Sequence, residues 1–275
     1  MATIAQLRLQ VKELQAKVKS LQTGMKTKDI IYPNVEKLLQ WEELKFSLRS
    51  VEKNLIDVEF RVWIVGDRPS WLSEEARFIE VPCSGKTPRL DVAMKRMAVD
   101  NHPDINESYV WMNDDIYFIN PVTYADLCIP KALHDLAPNI SRYDTQTAWG
   151  RDMAETFKRL KSEKLPILHY AVHVPYVLEK IKSKELFRVF DLENKSYIFE
   201  NLYYNYFCSY LLPYWLNLED SNNLLFCVNR QNPNWDAVAK QLKVKKMMNN
   251  SEAGMSDKMK ILLQSLFPDK SRFEI

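Results

Sequence analysis

The spacing of apolar residues divides the chain into a short helical start, a stretch of alternating strands and helices, and a mainly helical second half. At the start, apolar residues are separated alternately by three and four positions: Ile4, Leu7, Val11, Leu14, Val18, Leu21 and Met25. Ile or Val at the a positions and Leu at the d positions favour a parallel two-stranded coiled coil. We therefore predict a coiled-coil helix over residues 1–27 and one larger domain over residues 28–275. Either this helix joins two copies as a homodimer through residues 4–25, or it packs on its own domain.

The pattern then alternates between strand-like and helix-like segments. Apolar runs or alternation predict strands at 29–32, 57–65, 78–81 and 109–112. Helical spacing predicts helices at 35–55 and 90–101, between these strands. Strands that alternate with helices are typical of an α/β sheet with parallel strands.

The second half is predicted to be mainly helical. Helices are expected near 122–136, 151–164, 175–185, 197–211, 234–242 and 256–266, with one short strand at 224–228. The predicted fold class is therefore α/β: a sheet with a mainly helical C-terminal half, preceded by the coiled-coil helix.

Glycine is scarce, and this changes which phosphate sites the chain can build. The five glycines lie at 24, 66, 85, 150 and 254, and no two are close together. A Walker loop needs two glycines five residues apart, and a dinucleotide fingerprint needs three within six. Phosphate recognition would therefore use side chains, a metal ion or the backbone of other residues.

Charge and cysteine content set further limits. With 38 Lys+Arg against 36 Asp+Glu, the net charge of +2 gives no general case for nucleic-acid binding, and we expect no nucleic-acid partner. The four cysteines are scattered, so isolated thiols in a reducing cytoplasm are expected. No apolar run reaches the roughly 18 residues of a membrane span. Charged residues among the first apolar residues argue against a signal peptide.

Two adjacent carboxylates follow one predicted strand. Asn113, Asp114 and Asp115 lie between apolar segments, where two uncompensated charges would be costly to bury. The carboxyl ends of strands line the ligand crevice of an open α/β sheet. Carboxylates there suit a hard cation such as Mg²⁺ that also holds a diphosphate. The alternative is a solvated turn, because Asn and Asp are common in turns.

Histidine and basic residues add candidate chemistry. His169 and His173 are four residues apart, and Pro175 predicts a helix start that would place His173 at a helix N-terminus. A neutral histidine there can act as a general base or ligate a metal, although a hydrogen-bonded structural role is the alternative.

Several basic residues precede the acidic pair. Arg49, Lys86 and Arg89 could contact phosphates through charge-assisted hydrogen bonds. A solvated helix face is the alternative, and it is the one we expect for Lys95 and Arg96.

Six short segments, in order along residues 29–275, resemble segments of Stealth-type proteins. These are capsule sugar-phosphate transferases and the related lysosomal-enzyme GlcNAc-phosphotransferase. Residues 43–54 (ELKFSLRSVEKN) resemble the family's "ELRYSLRSIEKN", and residues 112–118 (MNDDIYF) resemble its "FNDDVFF". The other similar segments are 62–72, 173–175 (HVP), 226–229 (FCVN) and 267–274 (FPDKSRFE). The pattern is also similar to that of short phage and bacterial glycosyltransferases.

The resemblance implies a GT-A-like fold that uses a nucleotide-sugar donor and a divalent metal, Mn²⁺ or Mg²⁺. It implies that Asp114 and Asp115 hold the metal and that His173, with Asp115, is catalytic. The residues implied in nucleotide-sugar binding are Arg49, Asp67, Lys86, Arg89 and Asn113. The acceptor would be a glycan or another hydroxyl compound.

Three functions remain open from the sequence. The first is transfer of the glycosyl group, which breaks the bond at the anomeric carbon. The second is Stealth-type sugar-1-phosphate transfer, which breaks the pyrophosphate instead; a fold alone does not decide between them. The chain departs from the family at Arg230, where "CIND" ends in an acidic residue, and in its opening segment. The third is a non-enzymatic interaction protein that works through its coiled coil.

Overall fold

The structure is a computed structural model, and it describes residues 27–35, 41–85, 87–216 and 224–275. The predicted coiled coil and the dimer contact through residues 4–25 lie outside the described residues. Lys86 also lies outside them. The first described strand starts at Lys28, and the domain boundary expected there stays a prediction.

The described chain is a mixed α/β fold. Its strands are β1 (Lys28–Asn34), β2 (Phe60–Gly66), β3 (Arg77–Glu80), β4 (Ser108–Trp111), β5 (Ile116–Phe118), β6 (Lys131–Ala132), β7 (Tyr176–Glu179), β8 (Tyr214–Trp215), β9 (Leu225–Val228) and β10 (Met247–Asn250). Its α-helices are α1 (Glu43–Asn54), α2 (Pro88–Asn101), α3 (Tyr124–Cys128), α4 (Ala148–Ser162), α5 (Lys180–Phe190), α6 (Phe199–Phe207), α7 (Trp235–Val244) and α8 (Asp257–Leu266).

The central sheet has five strands in the order β3-β2-β1-β4-β7. The first four run parallel, and β7 is antiparallel to β4. Ile30 and Ile31 point to opposite faces of β1, and they are 1% and 0% exposed. Burial of both faces is typical of parallel strands covered by helices, so the predicted α/β class is confirmed.

A second, smaller sheet has the order β5-β10-β9. β10 is antiparallel to β5 and parallel to β9. Helix α1 is hydrogen-bonded to β5. Ser47 Oγ donates to the Ile116 carbonyl at 2.6 Å, and Phe118 N donates to Ser50 Oγ at 2.9 Å. This sheet brings residues near position 250 beside the acidic turn that follows β4.

Most predicted helices after residue 120 exist, but two predictions are wrong. The helix expected at 122–136 ends at Cys128, because Pro130 cannot donate the next helical hydrogen bond. The helix expected from Pro175 starts only at Lys180. Residues 176–179 instead form β7, where Tyr176 and Leu178 are buried, as the alternation of a strand requires.

The α2 helix corrects a third expectation. Lys95 and Arg96, expected on a solvated face, are both 1% exposed. Arg96 forms a buried ion pair with Glu200 of α6, which compensates its charge. No helix in the described ranges is both long and apolar enough to cross a membrane.

Candidate functional site

The acidic turn joins the two sheets and meets His173. Asp114 and Asp115 follow β4 at the carboxyl edge of the central sheet and lead directly into β5. Asp115 Oδ2 lies 3.3 Å from His173 Nδ1. The Asp115 carbonyl accepts a hydrogen bond from the backbone N–H of Asn250 at 3.4 Å. Two residues predicted separately from the sequence are thus brought together.

His173 has an unusual backbone. Its φ of 53° lies in the left-handed region, where a residue other than glycine costs about 1–3 kcal/mol. Asn249 Nδ2 donates to the His173 carbonyl at 2.8 Å and fixes this peptide. Such strain clusters at functional sites. His173 precedes a strand rather than a helix, so its predicted position at a helix N-terminus is wrong.

Burial and like charge dominate the electrostatics of the turn. Burial, together with the charge of Asp114, raises the pKa of Asp115 to about 8. Burial also raises the pKa of Asp114 above its ordinary range, and nearby His173 opposes that rise. Half of the His173 side chain is exposed. Desolvation lowers the pKa of His173, and the charge of Asp114 opposes that fall.

A third carboxyl shares this field, and the sequence analysis missed it. Glu43, in the first turn of α1, accepts a hydrogen bond from Asn250 Nδ2 at 2.8 Å. Tyr117 Oη donates to Asn250 Oδ1 at 2.8 Å. Burial raises the pKa of Glu43 to about 7, and the charges of Asp114 and Asp115 add to the rise. The available signal was an acidic residue in the first turn of α1, a helix separated from the acidic turn by three strands.

Two buried oxygens at the site have no hydrogen-bond donor. Among the described residues, Asp115 Oδ1 and Asn249 Oδ1 are both without a partner, and Asn249 is 2% exposed. Buried acceptors are ordinarily satisfied, and carboxylate and amide oxygens are ligands of hard divalent cations. These two oxygens are therefore suitable ligands for Mg²⁺ or Mn²⁺.

This oxygen set is a partial one. In the described part of the chain, no cluster of three or more His, Cys, Asp or Glu side chains is arranged to hold a metal ion. Mg²⁺ usually takes one or two carboxylates, and water and substrate phosphates complete its shell. The protein would thus supply only some of the ligands of a bound cation, and water and substrate would supply the others.

Arg49 lies elsewhere in the fold. Its Nε and Nη2 donate to the two oxygens of Glu274 at 2.8 and 2.6 Å. Its Nη1 donates to the Phe267 carbonyl at 3.1 Å. This bidentate pair fastens the C-terminal segment to α1, so Arg49 is no part of the site proposed below.

The other residues predicted to bind the nucleotide sugar lie either at the carboxyl edge of the central sheet or beside α4. Asn113 opens the acidic turn. Asp67 follows β2 at the same edge of the sheet, and its carbonyl accepts from Asn34 Nδ2 at 2.8 Å. Gly66, with φ of 126°, permits this approach, because a Cβ there would lie 2.1 Å from the Asn34 carbonyl oxygen. Arg89 contacts Asp152 and the ring of Trp149 instead.

The second histidine of the spaced pair has a structural environment. His169 is 5% exposed, and its Nδ1 lies 2.9 Å from Tyr143 Oη. Burial, with nearby His134, lowers the pKa of His169 to about 4. His169 is therefore a neutral residue packed in the core near α4, and only His173 reaches the acidic turn.

A scan of the chain against protein-family models gives no match, and a search of curated proteins gives none either. The likeness to Stealth-type proteins thus stays a prediction from the short segments quoted above. The case for a function depends on the geometry at the acidic turn.

Proposed function

We propose that the chain is a metal-dependent glycosyltransferase that moves a sugar from a nucleotide-sugar donor to a hydroxyl acceptor. The observation that carries this proposal is the contact between Asp115 and His173 beside two buried oxygens that lack donors. The site lies at the carboxyl edge of a mostly parallel sheet, where α/β proteins bind ligands.

The oxygens of the acidic turn would hold the cation. Asp115 Oδ1 and Asn249 Oδ1 are the free acceptors, and Asp114 supplies a second carboxylate next to them. When bound, Mn²⁺ or Mg²⁺ would neutralise the charge that develops on the leaving nucleoside diphosphate. Favourable cation binding would also compensate the two carboxylates that burial now disfavours in charged form.

His173 is suited to take the proton of the acceptor. Its lowered pKa keeps the ring neutral near pH 7, as a general base must be. Nδ1 lies 3.3 Å from Asp115 Oδ2, so a proton placed on Nδ1 would leave Nε2 with a free electron pair. The acceptor oxygen would form the new bond to the anomeric carbon and pass its proton to Nε2. The bond from that carbon to the diphosphate would break.

Sugar-1-phosphate transfer is the second candidate, favoured by the segments similar to Stealth-type proteins. The same His173 would then activate an acceptor that attacks phosphorus, and the pyrophosphate bond would break. The products separate the two reactions: glycosyl transfer releases a nucleoside diphosphate, whereas sugar-phosphate transfer releases a monophosphate.

Calorimetric titration with UDP-, GDP- and CDP-sugars, each with and without Mn²⁺, tests the proposal. We expect one nucleotide to bind only with metal, and Asp115→Ala to weaken that binding at least tenfold, about 1.4 kcal/mol. The matched control is Asp236→Ala, at an exposed position in the first turn of α7, which should bind as the wild type does. No metal-dependent binding of any nucleotide would refute the proposal and favour a non-enzymatic interaction protein.

A further inference from the structure

Two histidines and a tyrosine meet at a place away from the acidic turn. His134 and His169 lie opposite each other beside an isolated antiparallel bridge, and His169 N donates to the His134 carbonyl at 3.0 Å. Opposed residues of this kind carry their side chains on one face, and the two ring centroids are 5.0 Å apart. Tyr143 follows the short 3₁₀-helix Ala137–Arg142 and completes the group. We call these three residues the His–Tyr cluster.

Three possible ligand atoms converge in the His–Tyr cluster. Tyr143 Oη lies 2.9 Å from His169 Nδ1 and 3.5 Å from His134 Nε2. In a tetrahedral Zn²⁺ site, bonds of about 2.0–2.1 Å place neighbouring ligand atoms about 3.3–3.4 Å apart. The two measured distances lie on either side of that value. The longer one is poor for a hydrogen bond from a hydroxyl, but it suits two ligands of one ion.

The second ring nitrogen of His134 is placed as in metal sites. His134 Nδ1 lies 3.0 Å from the Asp135 carbonyl. A carbonyl oxygen only accepts hydrogen bonds, so Nδ1 carries the proton and Nε2 presents its lone pair to the cluster. Histidines that bind metals commonly donate their other N–H to a carbonyl in this way. The backbone therefore orients His134 as a metal ligand.

The ligand types and their exposure indicate which ion would bind. Imidazole nitrogens suit Zn²⁺ and Cu²⁺, whereas Mg²⁺ and Mn²⁺ prefer carboxylate oxygens and water. His134 and Tyr143 are partly exposed, so an ion can reach them from solvent and a water molecule can be the fourth ligand. His169 is 5% exposed and forms the inner side of the cluster. The His–Tyr cluster thus differs in ligand chemistry from the carboxylates of the acidic turn.

We propose that His134 Nε2, His169 Nδ1 and Tyr143 Oη form a Zn²⁺ site with water as the fourth ligand. Binding would release the hydroxyl proton of Tyr143 to solvent, as metal binding generally displaces protons from its ligands. The ion would join the chain around His134, the 3₁₀-helix and the segment that leads from His169 to His173. This site is separate from the cation site proposed at the acidic turn, and it does not depend on the proposed function.

Calorimetric titration of the metal-free full chain with Zn²⁺ tests this inference. The Asp115→Ala variant serves as the background, because it lacks a ligand of the cation site at the acidic turn. We expect one Zn²⁺ to bind per chain, and H134Q to weaken this binding at least tenfold. The matched control is H102Q, at another partly exposed histidine, whose ring lies 4.8 Å from that of Trp63. It should bind Zn²⁺ as the background does.

A spectroscopic readout tests the tyrosine without relying on H134Q being well folded. Cu²⁺ binds nitrogen and oxygen sites more tightly than Zn²⁺, and a phenolate bound to Cu²⁺ absorbs visible light by charge transfer. We expect this band in the wild type and its loss in Y143F, which keeps the ring and its packing. A tyrosine that only forms a hydrogen bond with His169 would give no such band.

Three results would overturn the inference. The first is a chain that binds no Zn²⁺ in the Asp115→Ala background. The second is an equal loss of Zn²⁺ affinity in H134Q and H102Q, which would indicate adventitious binding to surface histidines. The third is a wild-type Cu²⁺ complex without the phenolate band. Tightly bound Zn²⁺ should also raise the melting temperature of the background variant and leave that of H134Q unchanged.

Discussion

Asp29, fully buried, and Asp115, with 15% of its side chain exposed, lie at opposite ends of the parallel strands and differ in their hydrogen-bond partners. Asp29, at the start of β1, accepts hydrogen bonds from Arg61, from Trp63 Nε1 and from the backbone N–H of Asn106, each at 2.8 Å. Asp115, beyond the end of β4, has one oxygen near His173 and one with no partner among the described residues. The first carboxylate is fully compensated by the protein, and the second is not.

The difference suggests different roles for the two carboxylates: Asp29 stabilises the fold, and Asp115 is available to a ligand. A buried carboxylate with a complete set of donors contributes to the fold, and removing its charge leaves its cation unpaired. A buried carboxylate oxygen without a hydrogen-bond donor destabilises the fold unless a bound ligand contacts it. The carboxylate at the amino edge is therefore satisfied by the protein, whereas the one at the carboxyl edge keeps an oxygen that the proposed cation would contact.

The largest expected effect tests this contrast directly through stability. Asp29→Asn should lose about 3–5 kcal/mol of unfolding free energy, because Arg61 keeps its charge without a carboxylate partner. Asp115→Asn should lose nothing or gain stability, because it removes a charge that burial disfavours. Urea denaturation of both variants without metal measures the two values. Equal losses in the two variants would contradict the contrast between the edges.

A smaller effect on cation binding is expected at Asn249. Its Nδ2 donates to the His173 carbonyl, and its Oδ1 has no partner among the described residues. Asn249→Ala should weaken Mn²⁺ binding by about 10–100-fold, the usual cost of losing a group that supports a metal site. Asn249→Asp keeps the oxygen and adds charge, so it should bind Mn²⁺ at least as tightly as the wild type. Electron paramagnetic resonance of free Mn²⁺ follows both variants without any assay of activity.

The control for this measurement is Asn120→Ala. Asn120 donates to the carbonyls of Leu242 and Lys245 at 2.9 and 2.6 Å, so the variant loses comparable hydrogen bonds away from the acidic turn. Its Mn²⁺ affinity should match that of the wild type. If Asn249→Ala and Asn120→Ala behave alike, Asn249 has no part in cation binding.

The last effect is a pH dependence of stability without metal. Because burial raises the pKa of Asp115 to about 8 from 3.8, its protonated form stabilises the fold, and this stability is lost as pH rises toward 8. The melting temperature of the wild type should therefore fall as the pH rises from 3.8 toward 8. Each kcal/mol of stability lost lowers it by about 2–4 °C. The fall should be smaller in Asp115→Asn, which has no carboxyl group to titrate there. Mn²⁺ should restore the wild type at the alkaline end. A steeper fall in Asp115→Asn than in the wild type would contradict the assignment.

Local pattern was enough to predict the four parallel strands of the central sheet. β1, β2 and β4 are apolar runs buried on both faces, and their spacing around α1 and α2 leaves few other arrangements. The residues of the acidic turn were also predictable, because two adjacent carboxylates between apolar strands need a partner or a ligand. Their approach to His173 was expected only through resemblance.

The rest of the site depends on long-range pairing that no local pattern carries. β10 has the sequence Met-Met-Asn-Asn, which has no alternation typical of a half-buried strand. Its register against β5, where Asn249 lies opposite Ile116, brings together residues more than a hundred positions apart. Asn249 and Glu43 were therefore missed, and β7 was mistaken for a helix because a proline precedes it.

The pairing of β10 with β5 also sets the order in which the protein can become competent. The ribosome releases the acidic turn long before it makes residue 249, so a nascent chain carries Asp114 and Asp115 without the amide oxygen that completes their site. A chain that stops before β10 would keep most of the central sheet yet lack that oxygen and the clamp on the His173 carbonyl. Only a chain that includes β10 can therefore assemble the proposed site.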